Sequence, residues 1–359
     1  MNESSTAFII AEAGVNHNGD AELAVELLDA AIDSGADAVK FQTFSAEAMV
    51  TRAAEKAAYQ KLATGDSSQW EMLKTLELPH VLHFQLKEIC EQAGVEFMST
   101  AFDSASLRFL VHELGLKRLK IPSGEVTNGP FLLEHARCGL PMILSTGMAS
   151  LDEVRIALGV LAFGMLEEHA TPSLAAFEEA FASSEGQALL RQRVAVLHCT
   201  TEYPAPFEDI NLRAMDTLRE SFGLETGYSD HSLGIGVSIA AAARGATLIE
   251  KHITLDASLP GPDHACSLEP GPFLHMVEAI RAVEQALGSP VKAPMPSELP
   301  NIEIARRSLV AIRPIARGEQ FDATNLSAKR PAGGRSPMDF WQLVGTAATR
   351  DFDADELID

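Results

Sequence analysis

Eight short apolar or β-branched runs, each followed by a stretch with helical spacing, constrain this 359-residue chain more than any other feature. The runs are Phe8 to Ala11, Ala38 to Gln42, Glu96 to Ser99, Arg118 to Ile121, Met142 to Ser145, Val194 to His198, Glu225 to Tyr228 and Ala246 to Glu250. Between them, apolar residues recur at helical spacing, as in Leu23, Leu27, Ala30 and Ala31 or Val154, Ala157, Leu158 and Leu161. Strands separated by helices pair in parallel, because the crossover returns the chain to the same end of the sheet. Eight such units over roughly 290 residues predict a (β/α)8 TIM barrel.

Local signals support the division. Ser104 opens a helix expected to run through Leu114, and Leu151-Asp152-Glu153 puts two carboxylates in a first turn. Gly35 and Gly94 stand where a helix C-terminus needs a left-handed residue. Two stretches exceed the basic unit and read as insertions. One is Thr51 to Pro79; the other, Glu167 to Gln192, is acidic and alanine-rich and reads as a solvated helix. Residues 1–287 are assigned to the barrel. Four prolines (Pro290, Pro294, Pro296, Pro300) mark 288–300 as a stiff, irregular linker, and 301–359 as a small β-rich module broken by Gly318, Gly333 and Gly334. From 299 on, eight Lys/Arg meet nine Asp/Glu, so nearly all of the net charge of −22 lies in the barrel. A neutral module beside an acidic barrel reads as a cap.

That charge makes a nucleic-acid backbone or an anionic membrane an unfavourable partner. No apolar run reaches the ~18 residues of a membrane span, and Met1 to Thr6 is too polar and short for a signal peptide. Cys90, Cys138, Cys199 and Cys266 stand singly, as reduced thiols do in a cytoplasmic protein.

In a barrel, chemistry sits at the carboxyl ends of the strands. Lys40 and Lys120 lie inside otherwise apolar strands. One reading has them snorkelling to the rim. The other has them facing the barrel top, where with Thr100, Ser123 and Ser145 they hold a carboxylate and a phosphate. His231 and His252 end consecutive strands next to Asp230 and Glu250. They are either structural histidines or two ligands of an exchangeable divalent ion acting as a Lewis acid. Cys199 allows a thiolate-nucleophile reading, against its more ordinary place in a core.

These motifs, in order, resemble the sialic acid synthase family over nearly the whole chain. They are A-E-A-G-V-N-H-N-G (11–19), V-K-F-Q-T-F (39–44), K-I-P-S-G-E (120–125), I-L-S-T-G-M (143–148) and H-C-T-T-E-Y-P (198–204). G-Y-S-D-H-S (227–232), I-E-K-H (249–252), G-P-D-H (261–264) and K-R-P with S-P-M (329–331, 336–338) complete them. The resemblance implies a (β/α)8 barrel with a C-terminal antifreeze-like (SAF) domain, in a homodimer where that domain caps the partner's barrel. It implies that phosphoenolpyruvate is bound by Lys40, Thr100, Lys120, Ser123 and Ser145, with Tyr203 nearby. His231 and His252 would hold the divalent metal, Mn²⁺ first, with Mg²⁺ or Co²⁺ as substitutes. Glu12, Glu125 and Asp263 would face the reacting centre, Glu125 being assigned the protons of the attacking water. Asp263, Thr201 and Arg330 would face the amino sugar. The reaction implied is condensation of phosphoenolpyruvate with N-acetylmannosamine to N-acetylneuraminate and phosphate. The alternative is legionaminate from 2,4-diacetamido-2,4,6-trideoxymannose; a more distant one is a non-catalytic carbohydrate-binding barrel. Ala265, Cys266 and Arg335 depart from the family pattern, and the departures bear on the sugar.

Overall fold

The computed structural model describes residues 6–167 and 170–359. The polar start therefore lies outside the described residues up to position 5, as do positions 168 and 169 of the second insertion. The chain divides into two compact units, Met1–Gly288 and Ser289–Asp359.

The first unit is a closed, all-parallel barrel of β1 (Phe8–Gly14), β2 (Ala38–Thr43), β3 (Glu96–Ala101), β4 (Leu119–Ile121), β5 (Met142–Ser145), β6 (Val194–Cys199), β7 (Glu225–Asp230) and β8 (Leu248–His252). Pairing of β1 with β8, in register Ile10 to Glu250 and Glu12 to His252, closes it. The predicted architecture is borne out. Alternate residues point inward and outward along each strand. The inward set begins with an apolar plug of Ile10, Ala38, Met98, Ile143, Ala195, Leu197 and Leu248. Two residues further along the same strands the inward positions become Glu12, Lys40, Thr100, Ser145, Cys199 and Glu250. The polar layer therefore rests on a dry floor. Gly227 is needed where β7 passes β8, since a Cβ there would lie 2.3 Å from the Leu248 carbonyl oxygen. The outward set (Ile9, Val39, Phe41, Leu119, Leu144, Val196) packs under the helices in the main core.

Capping explains the helix starts, with some corrections. The helix after β3 begins at Ser104, but its cap is Asp103, whose carboxylate accepts from the Ser106 amide at 2.8 Å. It changes to a wider π turn over Phe109–Glu113. Ser150 and Glu153 form a reciprocal capping box before the helix Leu151–Leu166. The second insertion gives two helices, Leu174–Ala182 and Ser184–Arg193, rather than one solvated helix. Ala180 and Leu190 are buried, because their apolar faces pack on the helix before them. Among the described residues no helix is long and apolar enough to cross a membrane.

In the second unit, Pro296–Glu298 is a 3₁₀ turn and Leu299–Ala305 an α-helix. The expected irregular linker therefore gives way to regular structure at residue 296. Proline is tolerated in a first turn, where its missing N–H would have no partner anyway. β9 (Ser308–Ala311) and β10 (Leu326–Lys329) form an antiparallel ladder over a core of Leu309, Ile315, Phe321, Leu326, Leu343 and Phe352.

Candidate active site

The strand ends bring two lysines and two carboxylates into contact. Glu12 is in register with both Lys40 and His252, so barrel closure sets these three side by side. The Lys40 ammonium lies 2.6 Å from Glu12 Oε2 and 3.6 Å from Glu250 Oε2, and donates to Thr100 Oγ1 at 3.1 Å. Lys120 donates to Ser145 Oγ at 2.8 Å and to Glu250 Oε1 at 3.3 Å. Ser229 donates to the same Glu250 oxygen at 2.9 Å. Both lysine side chains are at most 4% exposed, which overturns the rim-snorkelling reading.

The charges settle unevenly. Burial opposes the charge on Lys40, but Glu12 and Glu250 outweigh it and hold its pKa above the usual lysine value. Burial pulls Lys120 below its usual value, and Glu250 compensates only in part. Burial would raise Glu250, yet Lys120, Lys40 and the Ser229 hydroxyl hold it well below the carboxylate range. Glu12 is pushed up by burial despite Lys40. Asp263 is pushed up to about 7, by burial and then by Glu12. Lys120, whose one carboxylate partner Glu250 is shared with Lys40, is the cation left with capacity for an anion. Glu250 Oε2 and His252 Nδ1 are buried without a hydrogen-bond partner, and both residues line, with Glu12, one pocket of about 330 Å³.

The imidazoles lie on the adjoining wall. Pairing of Nδ1 with the Thr200 carbonyl at 2.6 Å assigns the proton of His231 to that nitrogen, so Nε2 keeps its lone pair. The His252 ring is 5.6 Å away between centroids, and its Nδ1 is 3.9 Å from Asp263 Oδ2. Burial lowers His231 to about 4 and, with His231 next to it, takes His252 well below its usual value. Both rings are therefore neutral and able to ligate. Among the described residues no group of three or more His, Cys, Asp or Glu is arranged around a metal position. The pair fits a cation whose other positions come from water or substrate. Behind them Asp230 and Lys251, both fully buried, pair at 3.2 Å on the outward face and lock β7 to β8.

The first insertion is part of the site, which the sequence reading does not anticipate. Its helices Ala58–Thr64 and Gln69–Leu76 carry Tyr59, Gln60, Gln69, Met72, Leu73 and Leu76 into the pocket lining. Lys56 holds the turn between them, donating from a buried position to Thr64 Oγ1 (2.8 Å), the Gly65 carbonyl (3.0 Å) and Ser67 Oγ (2.7 Å). The Tyr59 ring meets Tyr203 at 5.2 Å, and Tyr203 stacks on His231 at 4.2 Å. The helical spacing of Met72, Leu73 and Leu76 was visible, but nothing in it says that the face covers a site.

Of the residues picked from sequence, Glu12, Lys40, Thr100, Lys120, Ser123, Ser145, Thr201, Tyr203, His231, His252 and Asp263 line this one pocket. Glu125 does not. It ends the 3₁₀ turn Ser123–Glu125, and its carboxylate accepts from Asn128 Nδ2 at 2.6 Å. The turn aims the Glu125 side chain at the following helix start. Arg330 is exposed and belongs to the second unit. Cys199 does line the pocket, but burial pushes its thiol up, which removes the thiolate-nucleophile reading. Gly147 permits a close approach beside it, where a Cβ would fall 2.3 Å from Thr201 Oγ1 and 2.9 Å from Cys199 Sγ. Glu250 is the main omission: the sequence reading treats it only as the carboxylate beside His252. Two-residue alternation along I-E-K-H, which puts Glu250 and His252 on one face, is the signal that could have found it.

Comparison with known proteins agrees with this geometry. The chain is 46% identical over 98% of its length to the N,N'-diacetyllegionaminic acid synthase of Legionella pneumophila, covering 93% of that protein. It is equally similar, at 46% over 98% of both chains, to the N,N'-diacetyllegionaminic acid synthase of Campylobacter jejuni. The crystal structure of the N-acetylneuraminic acid synthetase of Leptospira borgpetersenii superposes with a TM-score of 0.66 at 33% identity, covering 84% of this chain and 91% of that one. The SAF domain model matches residues 306–359 and the NeuB family model residues 27–292. The family resemblance read from the motifs is thereby borne out, and the chain belongs to the NeuB family of sialic acid synthases, with a SAF domain following the barrel in sequence.

Proposed function

We propose that the protein condenses phosphoenolpyruvate with open-chain 2,4-diacetamido-2,4,6-trideoxymannose to give N,N'-diacetyllegionaminate and inorganic phosphate. This takes up the legionaminate alternative in place of N-acetylneuraminate. The two relatives at 46% identity bear the legionaminic name, whereas the N-acetylneuraminic acid synthetase stands at 33%. The observation that carries the reaction class is the pair of buried lysines with hydroxyl partners beside two neutral imidazoles in one pocket. A non-catalytic sugar-binding barrel has no use for that combination.

In this reading Lys40 with Thr100, and Lys120 with Ser145 and Ser123, hold the carboxylate and phosphate of phosphoenolpyruvate. Point-charge ammonium groups and short hydroxyls suit both anions. His231 and His252 would hold a divalent cation, Mn²⁺ first, which supplies Lewis-acid polarisation of the aldehyde oxygen. C3 of phosphoenolpyruvate bonds to the aldehyde carbon, and the aldehyde oxygen takes up a proton. Positive charge develops at C2, where water adds and loses a proton. The C2–O bond to phosphate then breaks with its electron pair on the phosphate, which takes the proton of the C2 hydroxyl as it leaves, giving the 2-keto acid. Glu12 replaces Glu125 as the group that handles the water's proton, because it lines the pocket and burial raises its pKa. Glu250 holds both lysines oriented. The reading takes the enzyme as a cytoplasmic homodimer in which each SAF domain brings Arg330 to the partner's barrel.

The test is phosphate release from phosphoenolpyruvate with Mn²⁺ and each of two sugars, the trideoxy diacetamido hexose and N-acetylmannosamine. Release with the first at a kcat/KM well above the second is expected. Release with N-acetylmannosamine alone would return the reading to N-acetylneuraminate, and release with neither would remove the synthase assignment.

A further inference from the structure

The pocket has two unlike sides. Its floor carries the charged and hydroxyl groups at the strand ends; its outer wall is formed by Val15, Met49, Met72, Leu73, Leu76 and Phe102. Val15, Met72, Leu73 and Leu76 pack with Phe44 and Ala46 in an apolar cluster separate from both barrel cores. Each of these four side chains is less than a tenth exposed, so the wall is a fixed surface and not a fringe of loose side chains. The Lys56 clasp and the Ser68–Glu71 capping box hold the insertion that supplies half of it, Met72, Leu73 and Leu76. The polar groups that the insertion adds are the side-chain amides of Gln60 and Gln69 and the ring of Tyr59.

An open-chain hexose that reacts at its aldehyde carbon must place that carbon at the floor, beside the imidazoles and the lysines. Its far carbon then points outward, to the wall. There a methyl group exchanges water for carbon contacts. A hydroxymethyl would bring a hydroxyl that loses its water against Val15, Met72, Leu73 and Leu76, none of which offers it a hydrogen bond. Apolar pockets reject an added hydroxyl only moderately, by about a hundredfold at most.

We propose that this wall is the specificity element of the site and selects an amino sugar ending in a methyl group over one ending in a hydroxymethyl group. The inference rests on the synthase reading above. Two sugars that differ by one oxygen test it, 2,4-diacetamido-2,4,6-trideoxymannose and 2,4-diacetamido-2,4-dideoxymannose. The wild type is expected to prefer the first by about tenfold to a hundredfold in kcat/KM. Leu73→Gln, of similar size but polar, should bring the ratio to within about threefold, through loss on the deoxy sugar and gain on the hydroxylated one. Met49→Gln, at a half-buried position that tolerates a polar side chain, should move the ratio the same way should the first variant fail to fold. Turnover of both sugars by the wild type without preference, or an unchanged ratio in folded variants, would overturn the wall while leaving the synthase reading intact. Turnover of neither sugar by the wild type would overturn the reading itself and the wall with it.

Discussion

Glu250 and Lys120 touch each other, yet their removal should have opposite consequences. Glu250 faces Lys120 at 3.3 Å and Lys40 at 3.6 Å, with Ser229 at 2.9 Å. At an effective dielectric of 20 each lysine contact is worth ~5 kcal/mol of Coulomb attraction, most of which offsets the desolvation of the charges. Glu250→Gln keeps the Ser229 hydrogen bond but strands the buried Lys120 ammonium, while Lys40 keeps Glu12 at 2.6 Å. Breaking a buried pair in this way costs roughly 3–5 kcal/mol. An anion entering the pocket then supplies the missing negative charge, so phosphoenolpyruvate should bind more tightly, by up to about tenfold. Lys120→Met removes a cation whose own burial is unfavourable and leaves Glu250 with Lys40 and the Ser229 hydroxyl, so stability should fall by less than in Glu250→Gln. Phosphoenolpyruvate should lose a charge-assisted hydrogen bond of about 1.5–3 kcal/mol, or roughly tenfold to a hundredfold in Kd. Thermal unfolding gives the first quantity and calorimetric titration with phosphoenolpyruvate the second. Binding weakened more than about threefold by Glu250→Gln would show that this carboxylate serves the ligand directly, and the charge argument would fail.

Three further outcomes are expected. His252→Ala should abolish high-affinity Mn²⁺ binding as read by electron paramagnetic resonance, and chelator-treated wild type should be inactive until Mn²⁺ is restored; full activity in chelator with no bound metal would refute the two-imidazole site. Mixing His252→Ala with Arg330→Ala subunits should restore activity if the cap works in trans, because each mixed dimer then has one intact site; no recovery despite verified subunit exchange would rule that arrangement out. His135, buried away from the pocket, has its pKa lowered to about 4 by burial, so the unfolded chain takes up a proton that the native state refuses. Its contribution is therefore fully present above pH 6.5 and is lost as pH falls toward 4, roughly 3 kcal/mol across that window. In His135→Leu the unfolding free energy of the barrel should fall less steeply between those limits, and an identical slope would contradict the assignment.

Much of this molecule is written locally. A strand of a parallel barrel is a short apolar run with polar residues at its end, so the eight runs announced eight strands and their ends announced Lys40, Lys120, His231 and His252. Cap signals worked for the same reason, since a cap is made by residues three apart in sequence. What lay beyond local reading was whatever depends on which segments meet. Closing the barrel puts β1 beside β8, and only this brings Glu250 to the Lys40 that pairs with Glu12 across β1 and β2. A sequence of lysines and carboxylates spread over more than two hundred positions carries no statement about their pairing. The insertion could be recognised as surplus chain, but its apolar face becomes a pocket wall only because it folds back over the strand ends. Glu125 shows the converse. It sits in a motif with Lys120 and Ser123, yet one tight turn directs its carboxylate to Asn128 instead of the pocket. Residue type and spacing determined which groups reach the mouth of the barrel; closure and packing decided which of them share a charge, a ligand or a wall.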